Sequence, residues 1–424
     1  MLAWGSRAGD VDGDGNDDLF IGAFGEDSGG TSAGAAYLVL GPVSGEIDLS
    51  AADAKLIGEA AFDYAGAKLS AGDVDGDGND DLFIGASGED SGGDSAGAGY
   101  LLMGPVSGEI DLSAADAKLI GEEAYDNVGR AVGCAGDIDG DGNDDLFIGA
   151  PGEDSGGSSA GAAYLVLGPV SGAIDLSTAD AKFIGEASGD TVGVSLSGAG
   201  DVDGDGHMDL LIGASGEDSG GTSAGAAYLL MGPVSGEIDL SAADAKLIGE
   251  EAYDNVGDTV SGVGDVNGDG NDDILISAHG DDSGATSAGA AYLVLGPVSG
   301  EIDLSAADAK FIGEEAYEIL GGSVSGAGDV NGDGNDDLLL GAVGDDRGGS
   351  NAGAAYLVLG PVSGEIDLSA ADAKLTGAAV GNAAGDFVGA AGDMDGDGNA
   401  DVLITASGED NRAGAVYLFI GADF

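Results

Sequence analysis

Asp10-Val11-Asp12-Gly13-Asp14-Gly15-Asn16-Asp17-Asp18 is the stretch whose reading decides the fold, because the chain repeats it seven times. Further copies begin at Asp73, Asp137, Asp201, Asp265, Asp329 and Asp393, one step of 63 residues followed by five of 64. A fixed period of this length means that each copy belongs to one supersecondary unit that buries its apolar surface against its neighbours.

The third unit shows what surrounds the loop. Val128 to Gly136 is small and Gly-rich and leads into the acidic loop, as expected of an inner strand A where backbones converge. Beyond the loop, Leu146-Phe147-Ile148-Gly149-Ala150 has the length and composition of a strand B buried on both faces. The run Glu153 to Ser159 is turn chemistry, and Gly161 to Leu167 reads as strand C. A long connection follows, which in the first unit runs from Gly41 to Ala54 before strand D at Lys55-Leu56-Ile57-Gly58. Ser50 and Asp53 have capping-box spacing, which predicts one helical turn covering the blade edge.

Four short antiparallel strands per unit of about 64 residues predict an all-β, seven-bladed β-propeller, with residues 1–424 forming one domain. Strand D occurs six times, at Lys55, Lys118, Lys182, Lys246, Lys310 and Lys374. The seventh blade is therefore expected to be three-stranded, with an open edge available for self-association.

The loop chemistry points to calcium. Side chains at alternate positions of a tight turn converge, and calcium takes six to eight oxygens. Positions 1, 3, 5 and 9 of the first copy are Asp10, Asp12, Asp14 and Asp18, with the carbonyl of Asn16 at position 7. The corresponding sets are Asp73, Asp75, Asp77, Asn79 and Asp81; Asp137, Asp139, Asp141, Asn143 and Asp145; and Asp201, Asp203, Asp205, His207 and Asp209. They continue with Asp265, Asn267, Asp269, Asn271 and Asp273; Asp329, Asn331, Asp333, Asn335 and Asp337; and Asp393, Asp395, Asp397, Asn399 and Asp401. Glycines at positions 4 and 6 permit the sharp turn. An EF-hand would need Glu at position 12 between two helices, but that position is Ile21 in strand-like sequence.

Two carboxylates about 4 Å apart repel by about 1 kcal/mol in water and about 4 kcal/mol at a surface-like dielectric, so the loops favour a cation. Up to seven calcium ions are expected. Asn267 and Asn331 each remove one charge and predict weaker fifth and sixth sites. His207 is read as variation at a main-chain position.

Composition agrees. Lys plus Arg is 11 against 79 Asp plus Glu, a formal charge of -68 that disfavours nucleic acid and anionic membranes as partners. Apolar residues make up 43% of the chain in short regular runs, which argues for a folded protein without a membrane-inserted segment. With Cys134 as the single cysteine, no intrachain disulfide can form.

The loop Gly136 to Asp145, together with Val128-Gly129 and Gly149-Ala150-Pro151, resembles the FG-GAP repeat of integrin α-subunit propellers and their bacterial relatives. The resemblance covers essentially the whole chain. It implies a seven-bladed propeller with calcium in the A-B hairpins of one face, and ligands or partner subunits on the other.

The expected role is a non-enzymatic adhesion module, extracellular or at the cell surface, that binds a protein or glycan on the face opposite the calcium loops. The B-C loops of that face are mainly acidic, Gly and Ser, which offers little for stacking on sugars. The alternative is a purely structural or calcium-storing protein. A hydrolase or lyase is disfavoured, because His207 and His279 lack a partner motif for nucleophilic catalysis.

Overall fold

The computed structural model describes residues 4–409 and 413–421. Seven sheets form seven blades, with almost no helix beyond short 3-10 turns. In the first blade, Trp4–Gly9 is strand A, Asp18–Gly22 strand B, Ala35–Val39 strand C and Ala54–Ile57 strand D. All three pairings are antiparallel. The inner strand of this blade packs against both Lys68–Gly72 and Ala384–Gly392, so the ring closes.

Apolar runs become strands B and C because each sheet is sandwiched between two others. In the sixth blade, Leu338, Leu340 and Tyr356 join the core shared with the fifth blade, while Leu339, Leu357 and Leu375 join the core shared with the seventh. Small residues in strand A reflect crowding at the axis. A Cβ on Gly262 would lie 2.5 Å from the carbonyl oxygen of Gly198 in the adjacent inner strand.

Two local features differ from expectation. In the third blade strand A is only Val132–Cys134; ahead of it Gly129 adopts a left-handed φ of 83° and Val128 contributes a single parallel bridge to Gly97. The helical turn exists as Leu49–Ala51, but its cap is Asp48, whose carboxylate accepts from the Ser50 N–H. Asp53, read as half of a capping box, instead accepts from the Leu40 N–H at 3.0 Å.

The 63-residue step also has a structural cause. Strand A ordinarily carries a one-residue bulge ahead of the loop, as between Gly198 and Gly200, whereas Lys68–Gly72 pairs in unbroken register.

A fifth strand escaped the sequence reading. Gly108–Asp111, inside the C-D connection of the second unit, pairs in parallel with strand D of the first blade. The same exchange recurs through the fifth blade, so blades one to five have five strands, the sixth has four and the seventh, as expected, three.

Candidate metal centre and the opposite face

Each acidic loop turns on two glycines in the left-handed region, Gly13 at φ 73° and Gly15 at 92° in the first copy. That turn brings carboxylate oxygens of Asp10, Asp12 and Asp18 within 4.8 Å of one another. Equivalent clusters form at Asp73, Asp75 and Asp81; at Asp137, Asp139 and Asp145; at Asp201, Asp203 and Asp209; and at Asp393, Asp395 and Asp401. Positions 1, 3 and 9 are thus brought together in five loops. In the fifth and sixth loops Asn267 and Asn331 replace the middle carboxylate, leaving Asp265 with Asp273 and Asp329 with Asp337.

Position 5 stands apart from the cluster. Asp14 Oδ1 accepts from the backbone and side-chain nitrogens of Asn16, at 2.9 and 2.7 Å. Asp77 with Asn79, Asp141 with Asn143, Asp269 with Asn271 and Asp333 with Asn335 repeat this arrangement. Asp205 accepts from the His207 N–H and Asp397 from the Asn399 N–H. The imidazole of His207 lies outside the carboxylate cluster of its loop.

Position 9 has a second task. Asp18 is fully buried, its Oδ2 accepting from Val11 N–H at 3.0 Å and its Oδ1 from Gly41 N–H at 2.8 Å. One carboxylate therefore locks the A-B hairpin to the C-D turn of the same blade. Burial pushes its pKa up to about 6, a rise that these two hydrogen bonds partly offset. Asp81, Asp145, Asp209, Asp273 and Asp337 are raised to about 6 for the same reasons.

Position 8, to which the sequence reading gave no role, joins one blade to the next. Asp80 Oδ2 accepts from the Asp10 N–H at 2.8 Å, while the Asp80 N–H donates to the Asp10 carbonyl at 3.1 Å. Asp144, Asp272 and Asp336 make the same contact to Asp73, Asp201 and Asp265. Met208 and Ala400 stand at this position in the fourth and seventh loops.

The donor set decides which cation fits. The clusters are all carboxylate oxygen, with no sulfur or imidazole, which suits a hard cation such as calcium and disfavours transition metals. Asp10, Asp12 and Asp18 and their equivalents would supply the charge.

On the other face, strand D meets the B-C turn. Lys182 Nζ lies 2.8 Å from Glu122 and 3.0 Å from Glu153, and 5.2 Å from the centre of the Tyr164 ring. Burial lowers the lysine pKa, and the two carboxylates more than offset that, so the net shift is upward. The B-C and D-A turns are tied together, for example by Phe62 N–H donating to the Thr31 carbonyl at 2.9 Å.

The D-A turns also carry aromatic side chains that the B-C loops lack. Phe62, Tyr125, Tyr253 and Tyr317 are 54%, 63%, 65% and 65% exposed. Each adopts a left-handed backbone, with φ of 73°, 72°, 73° and 64°. A bulky side chain on such a backbone is uncommon, and glycine fills the equivalent place of two other D-A turns as Gly189 and Gly381, at φ of 92° and 76°. The recurring Glu-Glu-Ala-Tyr string was the only sequence signal of these exposed rings.

Comparison with known proteins places these features in a family. A model of the FG-GAP repeat matches residues 3–39, 65–102, 130–166, 192–230, 256–294 and 384–419, together more than half of the chain. Integrin alpha pat-2 of Caenorhabditis elegans is 28% identical over 249 residues, covering 55% of this chain and 19% of that protein. Human Integrin alpha-IIb is 34% identical over 169 residues, 38% of this chain and 16% of its own length. Integrin alpha-V of Gallus gallus is 33% identical over 171 residues, covering the same two shares. The chain thus matches less than a fifth of the length of each of these relatives.

Proposed function

The chain belongs to the FG-GAP repeat family, and from that premise we propose that it is a calcium-stiffened, non-enzymatic adhesion or interaction module. Residues 1–424 form one ring domain that works outside the cell or at its surface. Up to seven calcium ions occupy the A-B loops, held by the aspartates at positions 1, 3, 5 and 9 and the position-7 carbonyl. The clustering at positions 1, 3 and 9 supports this reading. The fifth and sixth sites are the weakest.

Recognition takes place on the face opposite the metal loops. The observation that carries this is the set of exposed aromatic side chains at Phe62, Tyr125, Tyr253 and Tyr317, set among acidic turns. Tyrosine offers contact area at low entropic cost and stacks on sugars or packs against protein. Repeated sites of this kind suit a repetitive glycan or multivalent protein through avidity. Nucleic acid and membrane insertion are outside this role. Among the described residues no helix is long and apolar enough to cross a membrane.

Glycan and protein arrays probed in calcium test the proposal. A ligand whose binding is lost in the Y125A/Y253A/Y317A protein, with its melting temperature retained, supports it. No ligand on either array would favour a structural or calcium-storing role, the reading to which 79 acidic residues also lend themselves.

A further inference from the structure

The seven inner strands enclose a cavity of about 160 Å³ on the axis of the ring. Every blade contributes to its wall, each from the end of strand A that lies away from the acidic loops. The cavity therefore sits at the end of the axis opposite the metal loops. A cavity of this size takes a guest of about six heavy atoms, as large as benzene.

Lys68 sets this wall apart. The chain has seven lysines, and six of them recur on strand D, each within 3.0 Å of a carboxylate of the B-C turn in its own blade. Lys68 stands on strand A opposite Gly85, in the register that Ser195 and Ser323 hold opposite Gly213 and Gly341. It is half-buried and faces the cavity. Enclosure by protein pushes its pKa down to about 7, and Arg130 adds to the fall, while Asp258 and Asp386 oppose it. A large share of the amine is thus neutral at pH 7.5, the state that attacks a carbonyl carbon.

Buried hydroxyls share the wall with it. Ser195 and Ser323 are 7% and 1% exposed, and their Oγ atoms accept from the Val260 and Val388 N–H groups of the next inner strand, each at 3.1 Å. Accepting leaves each hydroxyl its own hydrogen to donate to a guest. Apolar side chains, among them Leu69, Leu196 and Phe387, lie beside them.

We propose that the axial cavity captures a short hydroxy-aldehyde as an imine on Lys68. The neutral Nζ attacks the carbonyl carbon to form a C–N bond and a carbinolamine. Both amine protons then leave with the former carbonyl oxygen as water, so the C=N bond forms without any change of oxidation state. Ser195 and Ser323 donate to the oxygens of the guest, and the volume limits it to about the size of glyceraldehyde. Burial together with a neighbouring cation is the setting in which lysines form imines. The strand-D lysines, held as cations by carboxylates, lack that setting.

Glyceraldehyde with cyanoborohydride, which reduces the imine to a stable amine, tests the proposal on the full chain in saturating calcium at pH 7.5. Peptide mass spectrometry is expected to show Lys68 labelled roughly tenfold or more faster than Lys246, at a rate that saturates as glyceraldehyde rises. The Lys68 rate should climb with pH through about 7. Propanal, which lacks the hydroxyl groups, should need a several-fold higher concentration for half-saturation. Labelling of Lys68 no faster than Lys246, or a rate that stays linear in glyceraldehyde, overturns the assignment. Half-saturation for propanal at or below that for glyceraldehyde overturns the choice of hydroxy-aldehyde. None of these readouts involves the exposed aromatic side chains, so failure here leaves the proposed recognition role intact.

Discussion

Asp17 Oδ2 accepts a hydrogen bond from the backbone N–H of Asp393 at 3.0 Å, joining the first acidic loop to the last across 376 residues of sequence. Its Oδ1 also pairs with Arg7 at 2.9 Å. This is the position-8 contact that links consecutive blades, here closing the ring in place of a shared outer strand. D17A should lower stability by about 1–2 kcal/mol, the usual cost of an orphaned partly buried donor. Thermal unfolding of the metal-free protein measures it.

The same contact is incomplete elsewhere, and completing it should help. Ala400 N–H donates to the Asp329 carbonyl at 3.0 Å, but an alanine side chain cannot return the bond to Asp329 N–H. A400D supplies that acceptor and should stabilise the chain by about 0.5–1.5 kcal/mol. An unchanged or lowered melting temperature would show that the side-chain half of the contact contributes nothing.

Lys246 Nζ lies 2.6 Å from Glu186 and 2.9 Å from Glu217, with the ring centre of Tyr228 at 5.3 Å. K246M keeps the apolar stem but leaves the buried Glu217 carboxylate, and the more exposed Glu186, without their cation. A loss of about 1.5–3 kcal/mol is expected in denaturant titration. K246R should recover part of it.

Metal affinity should follow charge at position 3. Calorimetric calcium titration of the parent should resolve tight sites and a weaker class arising from the loops containing Asn267 and Asn331. In N267D/N331D the weaker class should strengthen several-fold and merge with the rest. Seven indistinguishable sites in the parent would contradict the hierarchy.

Stability of the metal-free protein should rise as pH falls. Asp63, Asp126 and Asp254, on the side away from the metal loops, are pushed up to about 6, chiefly by burial. A carboxyl group whose pKa is higher folded than unfolded adds stability that is full below about 4 and lost as pH climbs through about 6. Melting temperature in chelator should therefore increase from pH 7.5 to pH 5. D63N/D126N/D254N should flatten that rise. Asparagine already occupies the equivalent place in the last D-A turn as Asn382, so the fold accommodates it.

The repeat made much of this legible. Seven acidic strings separated by apolar runs fixed the number of blades, and the six D-strand lysines foretold a three-stranded seventh blade. Three features were not legible because they arise between units. Gly108–Asp111 looks like part of a polar connection, and only the neighbouring strand D makes it a strand. Asp17 and Asp80 read as extra charge in a metal loop, although each serves the adjacent blade. The Glu-Glu-Ala-Tyr strings at Tyr125 and Tyr253 read as acidic turns of the opposite face, and only the folded chain shows their aromatic side chains exposed on a left-handed backbone.

The central claim is that the acidic loops hold calcium as part of the fold. The most direct test is the melting temperature of the full chain in excess calcium and in excess chelator at one pH. Each site filled at a hundred times its dissociation constant adds about 2.7 kcal/mol. Chelation should therefore lower the transition by roughly ten degrees or more. An identical transition in calcium and in chelator would contradict the account.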